Sequence, residues 1–196
     1  MLIGRKLSQL ESAMPVPDPE QPVSNVIMTS IGQQRMCYVP HMERISQERL
    51  RLLLTYDRES GHFHRKTRYG SKRAGTVAHG YRYIYVDGRR YAEHQLAWLY
   101  VFGLWVTELD HINRQKDDNR IANLRPATRS QNAANTPARG TLNVKGVSWC
   151  NKNRRFRATM RANGEYFHLG YFETIAEAKA AYQTAAVATF GDFASD

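Results

Sequence analysis

Residues 108–137 read ELDHINRQKDDNRIANLRPATRSQNAANTP. The short apolar run that ends in Asp110 and His111 predicts a strand, and the polar tract 113–120 predicts a loop leading to a second strand at NLRPAT, from Asn123. Thr128 and Gln131 have the spacing of a capping box, so a short helix is expected from near Arg129, ending before Pro137. On it Asn132 and Asn135 lie three residues apart, on one face. Strand, loop, strand and helix make a ββα unit whose polar residues recur at set distances, which an ordinary surface loop has no reason to do. Adjacent side chains on a regular strand point to opposite faces. Asp110 and His111 can therefore serve one site only where the first strand breaks into the loop, and a strand continuing through Asn113 would count against a shared site.

Upstream, leucines at 50, 53 and 54 give one apolar helical face over about Ser46 to Tyr56. GHFHRK (61–66) and GYRYIYVDGRRYAE (80–93) predict strands, with Asp87-Gly88 as a two-residue hairpin turn that needs positive φ. Tyr81, Tyr83 and Tyr85 should share one face, opposite Arg82, Ile84 and Val86. AEHQLAWLYVF (92–102) predicts a mostly buried helix ended by Gly103, and His94 within it is read as structural. Downstream, NTPARGTLN (135–143) reads as a linker. Three strands follow at VKGVSWC, RRFRATMRA and EYFHLGYF, with Asn163-Gly164 as the second turn. The last element is an Ala-rich helix with a Thr174/Glu177 capping box and Gly191 at its end. Small side chains at Ala178, Ala181 and Ala185 should let this helix approach the sheet closely. The expected organisation is a leader over 1–42, a first domain over 43–136, a linker over 137–143 and a second domain over 144–196.

A formal net charge of +10 over 196 residues points to a polyanionic partner, and nucleic acid is the commonest one. Between Arg65 and Arg90 there are eight Lys or Arg residues against one acid, Asp87, which marks Arg82, Arg89 and Arg90 as candidates for phosphate contact. From Arg139 to Gly164 there are seven basic residues and no acid. No long apolar segment and no secretory signal is evident, so a protein of the cytoplasm with no membrane partner is expected. Cys37 and Cys150 are the only cysteines and stand far apart; they cannot supply paired zinc knuckles, and no structural zinc is expected.

Residues 50–136 resemble the HNH endonucleases, in the subgroup found among phage and intron-borne homing enzymes, where the last His is replaced by Asn. The resemblance rests on Asp110-His111, on Asn123 in an NLR triplet twelve positions after the histidine, on Asn132 nine positions further, and on the HQLAW helix. It implies a ββα-metal (His-Me finger) nuclease domain. His111 would be the general base, since an imidazole titrates near neutral pH. Asp110 and the amide oxygen of Asn132 would hold Mg²⁺ or Mn²⁺, with Asn135 as the alternative should the helix register shift by a turn; two protein ligands suit a cation that keeps several waters. Asn123 would bond loop backbone and hold His111 in place. Arg114, Arg120 and Arg125 are further candidates for phosphate contact, and Asp117 and Asp118 are expected to face solvent.

Residues 142–193 resemble the plant Apetala/ethylene-response-factor DNA-binding domain through KGVSW, FRATMR, HLGYFET and the AEAKAAY helix. That implies a three-stranded antiparallel sheet packed on one helix, with the sheet laid in the major groove of double-stranded DNA. Lys145, Ser148, Trp149, Arg154, Arg155, Arg157, Thr159 and Arg161 are the candidate contacts. Trp149 could equally belong to the core. The whole chain is thus expected to be α+β, a phage homing-type nicking endonuclease that binds DNA as a monomer. The competing expectations are a DNA-binding regulator that does not cut and a packaging role in a phage particle.

Overall fold

The computed structural model describes residues 44–139 and 142–195. The expected leader over 1–42, with Cys37, lies outside them, as do residues 140 and 141 of the expected linker. The chain forms two compact units, one running to Arg125 and the other starting at Pro126. No helix among the described residues is long and apolar enough to cross a membrane.

The first unit opens with α1 (Gln47–Leu53), where the Ser46 hydroxyl accepts from the amide of Arg49 at 3.2 Å and Leu50 is fully buried. The helix stops short of Tyr56. Leu54 is already extended, and Thr55–Asp57 form β1, with Tyr56 opposite Phe63 of β2 (His62–Thr67). Thr and Tyr favour the pleated surface, and the cross-strand aromatic pair outweighs the helical leucine spacing. β2 also pairs with β3 (Gly70–Arg73), and a second sheet has the order β4 (Thr76–Ala78), β5 (Tyr81–Val86), β6 (Arg89–Ala92). β3 and β4 carry no sequence signal, being three or four mostly exposed residues with no apolar alternation. The β5–β6 turn is Asp87-Gly88, with φ of 47° and 77°. Ile84 and Val86 point into the core, and Tyr85 points out.

α2 (Glu93–Phe102) ends on Gly103 in the left-handed conformation. Its Leu96, Ala97, Trp98, Leu99 and Phe102 join Leu50, Phe63, Ile84, Leu109 and Leu124 in one core. Each large side chain there contributes roughly 1.5–3 kcal/mol by leaving water. That core fixes both ends of the polar loop, because Leu109 starts β7 (Leu109–His111) and Leu124 starts β8 (Leu124–Pro126), and β7 pairs with β8. β7 stops at His111; a short 3₁₀ turn, Ile121–Asn123, brings the chain back.

In the second unit α3 (Arg129–Ala134) begins at the Thr128/Gln131 capping box. β9 (Val147–Cys150), β10 (Arg155–Ala162) and β11 (Glu165–Phe172) form an antiparallel sheet with β10 central, and α4 (Ile175–Phe190) packs on it. Asn163 and Gly164 make the β10–β11 turn with φ of 51° and 87°. The buried stripe of α4 is Ala178, Tyr182, Ala186 and Phe190, with Ala181 and Ala185 on its flank. The stripe is turned from the expected one because Tyr182 fills the space over Gly146, where an added Cβ would lie 2.2 Å from its ring.

Candidate active site

Asp110 and His111 end β7 and are 3% and 6% exposed. A buried carboxylate needs a compensating charge. Asp110 has one in Arg125, whose Nε and Nη2 lie 2.9 Å and 2.8 Å from Asp110 Oδ2. The side chain of Arg125, a further candidate for phosphate contact, is 11% exposed and engaged with this carboxylate, because the pairing of β7 with β8 sets the two residues side by side.

The loop between β7 and β8 is held from inside. Asn123 Oδ1 accepts from the Asn113 amide at 2.9 Å, and its Nδ2 donates to the Asp118 carbonyl at 2.8 Å, so one side chain ties both limbs of the loop. The Ile112 amide donates to the Asn123 carbonyl at 2.9 Å. Asp118 does not simply face solvent. Its carboxylate accepts from Asn113 Nδ2 at 2.7 Å and from Arg120 Nε and Nη2 at 2.8 Å and 2.6 Å, and the Arg120 guanidinium holds its pKa down at about 2. Asp117 pairs with Arg82 and Arg73 at 3.1 Å and 3.5 Å. Arg114 takes a positive φ of 64° at the bend after His111.

Two residues the sequence did not single out lie behind His111. Asn119, fully buried, has Oδ1 3.1 Å from His111 Nε2, and its Nδ2 donates to Glu93 Oε2 at 2.7 Å. Glu93, also fully buried, accepts from the Phe63 amide at 3.2 Å and lies 3.7 Å from Arg82 Nε. Its place in the first turn of α2 puts the carboxylate at the positive end of the helix dipole. Burial raises its pKa, against the opposing bonds from Phe63 and Asn119. A glutamate at the start of an amphipathic helix reads as an ordinary capping preference, and an Asn in DDNR reads as a loop residue; only burial distinguishes them.

Burial also lowers the pKa of His111, against the Asn119 contact and the Asp110 charge, and drives His94 down to about 4. The His94 ring lies edge-on to His111 at 5.2 Å, with Tyr81 at 6.1 Å. His94 is therefore packed against the candidate base, not in a remote part of the core.

Asn132 lies on α3 and Asn135, 6% exposed, is its C-terminal cap; both are in the second unit, whereas Asp110, His111 and Asn123 are in the first. Among the described residues, no group of three or more His, Cys, Asp or Glu is arranged to hold a metal ion.

The candidate nucleic-acid contacts divide by face. On β10, Arg155, Arg157, Thr159 and Arg161 alternate with Phe156, Ala158, Met160 and Ala162, and the second set is turned inward. Ser148 stands opposite Arg157, which donates to its hydroxyl at 3.4 Å, and so shares the arginine face. Trp149 stands opposite Phe156, with ring centroids 4.9 Å apart, and so lies on the other face although 48% exposed. The reason is strand parity, since residues paired across an antiparallel ladder point the same way. Lys145 Nζ donates to the Ala134 carbonyl, and Arg154 sits at positive φ in the β9–β10 turn. A bulge in β11, where Ala158 and Thr159 pair with Gly170 and His168, brings Tyr171 onto the same face as His168 and Tyr166. Three aromatic rings unmarked by the sequence reading thus interleave with the arginines. In the first unit Arg82 is largely buried against Asp117 and Glu93, because β5 turns it inward beside α2; Arg89 and Arg90 are exposed, with Arg90 stacked 3.8 Å over Tyr83.

Residues 91–134 match the family model described as HNH endonuclease. No curated protein and no solved structure matches the chain. The matched segment runs from the last strand residues before α2 through α3 and includes Glu93, Asp110, His111, Asn119, Asn123 and Asn132. The chain carries an HNH endonuclease domain and is on that ground a DNA-cleaving hydrolase.

Proposed function

We propose that the chain is a divalent-metal-dependent endonuclease of double-stranded DNA, of the kind in which the last histidine of the motif is replaced by Asn132. The observation that carries this reading is the environment of His111: a buried imidazole at the end of β7, beside a buried carboxylate, in a loop clasped at both limbs by Asn123. His111 takes a proton from the attacking water, and its burial keeps it in the basic form that this requires. Asn123 holds the loop so that the imidazole keeps its place. Asp110 offers a carboxylate oxygen and Asn132 an amide oxygen, each by its chemistry a hard donor suited to Mg²⁺ or Mn²⁺. When bound, such an ion stabilises negative charge on the phosphate and on the departing 3′-oxygen. One such site cuts one strand, so the product is a nick.

The second unit supplies the DNA-binding surface in this proposal. Its open face joins Ser148, Arg155, Arg157, Thr159 and Arg161 to Tyr166, His168 and Tyr171, a basic and aromatic sheet of the Apetala type suited to phosphates and base edges. The exposed Arg89 and Arg90 of the β5–β6 hairpin add phosphate contacts.

The test is conversion of supercoiled plasmid to open circle. Wild-type protein with Mg²⁺ or Mn²⁺ should nick, and EDTA should stop it. His111→Ala should lower the rate by about 10²- to 10⁴-fold, the usual worth of a general base, while DNA binding persists. Binding without cutting under every divalent ion would reject the proposal in favour of a regulator that does not cut.

A further inference from the structure

The contacts behind His111 decide which of its two nitrogens does the chemistry. A carboxylate only accepts hydrogen bonds, so the Asn119 group that faces Glu93 at 2.7 Å must be its NH₂. The Phe63 amide on Oε1 and the Arg82 guanidinium 3.7 Å from Oε2 favour the ionised, accepting carboxylate against the burial that raises its pKa. With its NH₂ committed, Asn119 can offer His111 only its carbonyl oxygen, which is the atom found 3.1 Å from Nε2. A carbonyl oxygen in turn needs a donor. The proton of a neutral His111 therefore sits on Nε2, and the ring lone pair is on Nδ1.

We infer that Glu93 and Asn119 form a positioning relay that selects the Nε2–H tautomer of His111, so that Nδ1 is the nitrogen that accepts the proton from the attacking water. The inference rests on His111 being the general base. Neither relay residue touches substrate. The relay ties the loop to the α2 N-terminus: Glu93 is fixed by the backbone of β2, and Asn119 is further held by its carbonyl, which accepts from the Tyr56 hydroxyl at 2.7 Å. The His94 ring packs edge-on to the imidazole at 5.2 Å, and the tilted Tyr81 ring lies 6.1 Å away.

The test reads the tautomer directly, by proton–nitrogen correlation spectra of protein labelled with nitrogen-15 histidine, metal-free and at neutral pH. His111→Ala identifies the signal. In the wild type, Nε2 should be the protonated nitrogen. In Glu93→Gln the new amide can donate to Asn119, turn its side chain and present NH₂ to the ring, so the proton should move to Nδ1. Asn119→Ala, which deletes the acceptor, should leave the two tautomers mixed. Glu93→Gln should lower kcat for nicking by roughly 10- to 100-fold, by analogy with the loss of a partner that orients a metal-ligating histidine, with KM for DNA unchanged. A wild-type Nδ1–H signal overturns the relay, whatever the stability of the variants. So does a Glu93→Gln protein that loses rate without a change of tautomer. The spectra need no catalysis: a chain that never cuts DNA ends the nuclease mechanism and leaves the tautomer assignment to stand or fall separately.

Discussion

Asp118 is the residue through which acid should act on the loop. Its carboxylate receives Arg120 and Asn113, and its pKa is about 2 against an ordinary 3.8. A depressed carboxylate stabilises the folded loop fully above the unfolded value and loses that contribution as pH falls through the folded one. The clasp should therefore hold at pH 5 and weaken as pH falls from about 4 to about 2, first at the Arg120 and Asn113 contacts. Carboxyl chemical shifts of Asp118 and amide exchange at Arg120, followed down in pH, check this; an Asp118 that titrates at an ordinary value contradicts it. The same residue marks a limit of sequence reasoning. In KDDNR, Asp117 and Asp118 look alike, yet one pairs with strand arginines and the other closes its own loop.

Among the elements, the β1–β2 hairpin matters most to the site although nothing in its sequence says so. Gly61 in its turn has φ +72°, and a Cβ there would lie 2.4 Å from the Arg120 amide nitrogen and 2.6 Å from the Asn119 carbonyl carbon. The hairpin thus seats directly against the segment that carries Asn119, and the Tyr56 hydroxyl bonds the carbonyl of Asn119. Gly61→Ala combines a backbone strain of about 1–3 kcal/mol with an overpacking cost of about 1–3 kcal/mol. It should lower Tm by several degrees or more in a thermal melt, and the protein that remains folded should show disturbed Asn119 and His111 signals. Gly70→Ala, where an added Cβ meets nothing within 4 Å, serves as the comparison for positive φ alone.

At the scale of the molecule, the proposed DNA binding by a chain of net charge +10 should depend on salt. Each phosphate neutralised in duplex DNA adds about 0.9 to the negative slope of log affinity against log salt. Replacing Arg157 and Arg161 by Ala should reduce that slope by about 1 to 2 and weaken binding most at low salt. Trp149→Ala, on the opposite face, should leave the slope unchanged; filter binding across a salt series separates the two. Equal losses from both would mean that the arginine face is not the one that meets DNA.

What the chain determines locally was legible in its sequence. The two hairpin turns, the capping boxes at Thr128 and Thr174, the Gly103 stop and the end of β7 at His111 follow from φ preference, hydrogen-bonding side chains and alternation, all of which act over a few residues. The spacing of Asp110, His111, Asn123 and Asn132 was legible only as a resemblance to the HNH family, and the family match over residues 91–134 includes all four. Tertiary structure alone decided which polar residues are buried. Asn119 and Glu93 became one network with His111 because β1, β2 and α2 enclose the loop. Arg82 and Arg125 became partners of buried acids, and a single bulge in β11 carried Tyr171 across its sheet. These outcomes depend on which distant segments exclude water from a given side chain, and a carboxylate or amide shows no trace of that in its own neighbourhood of sequence.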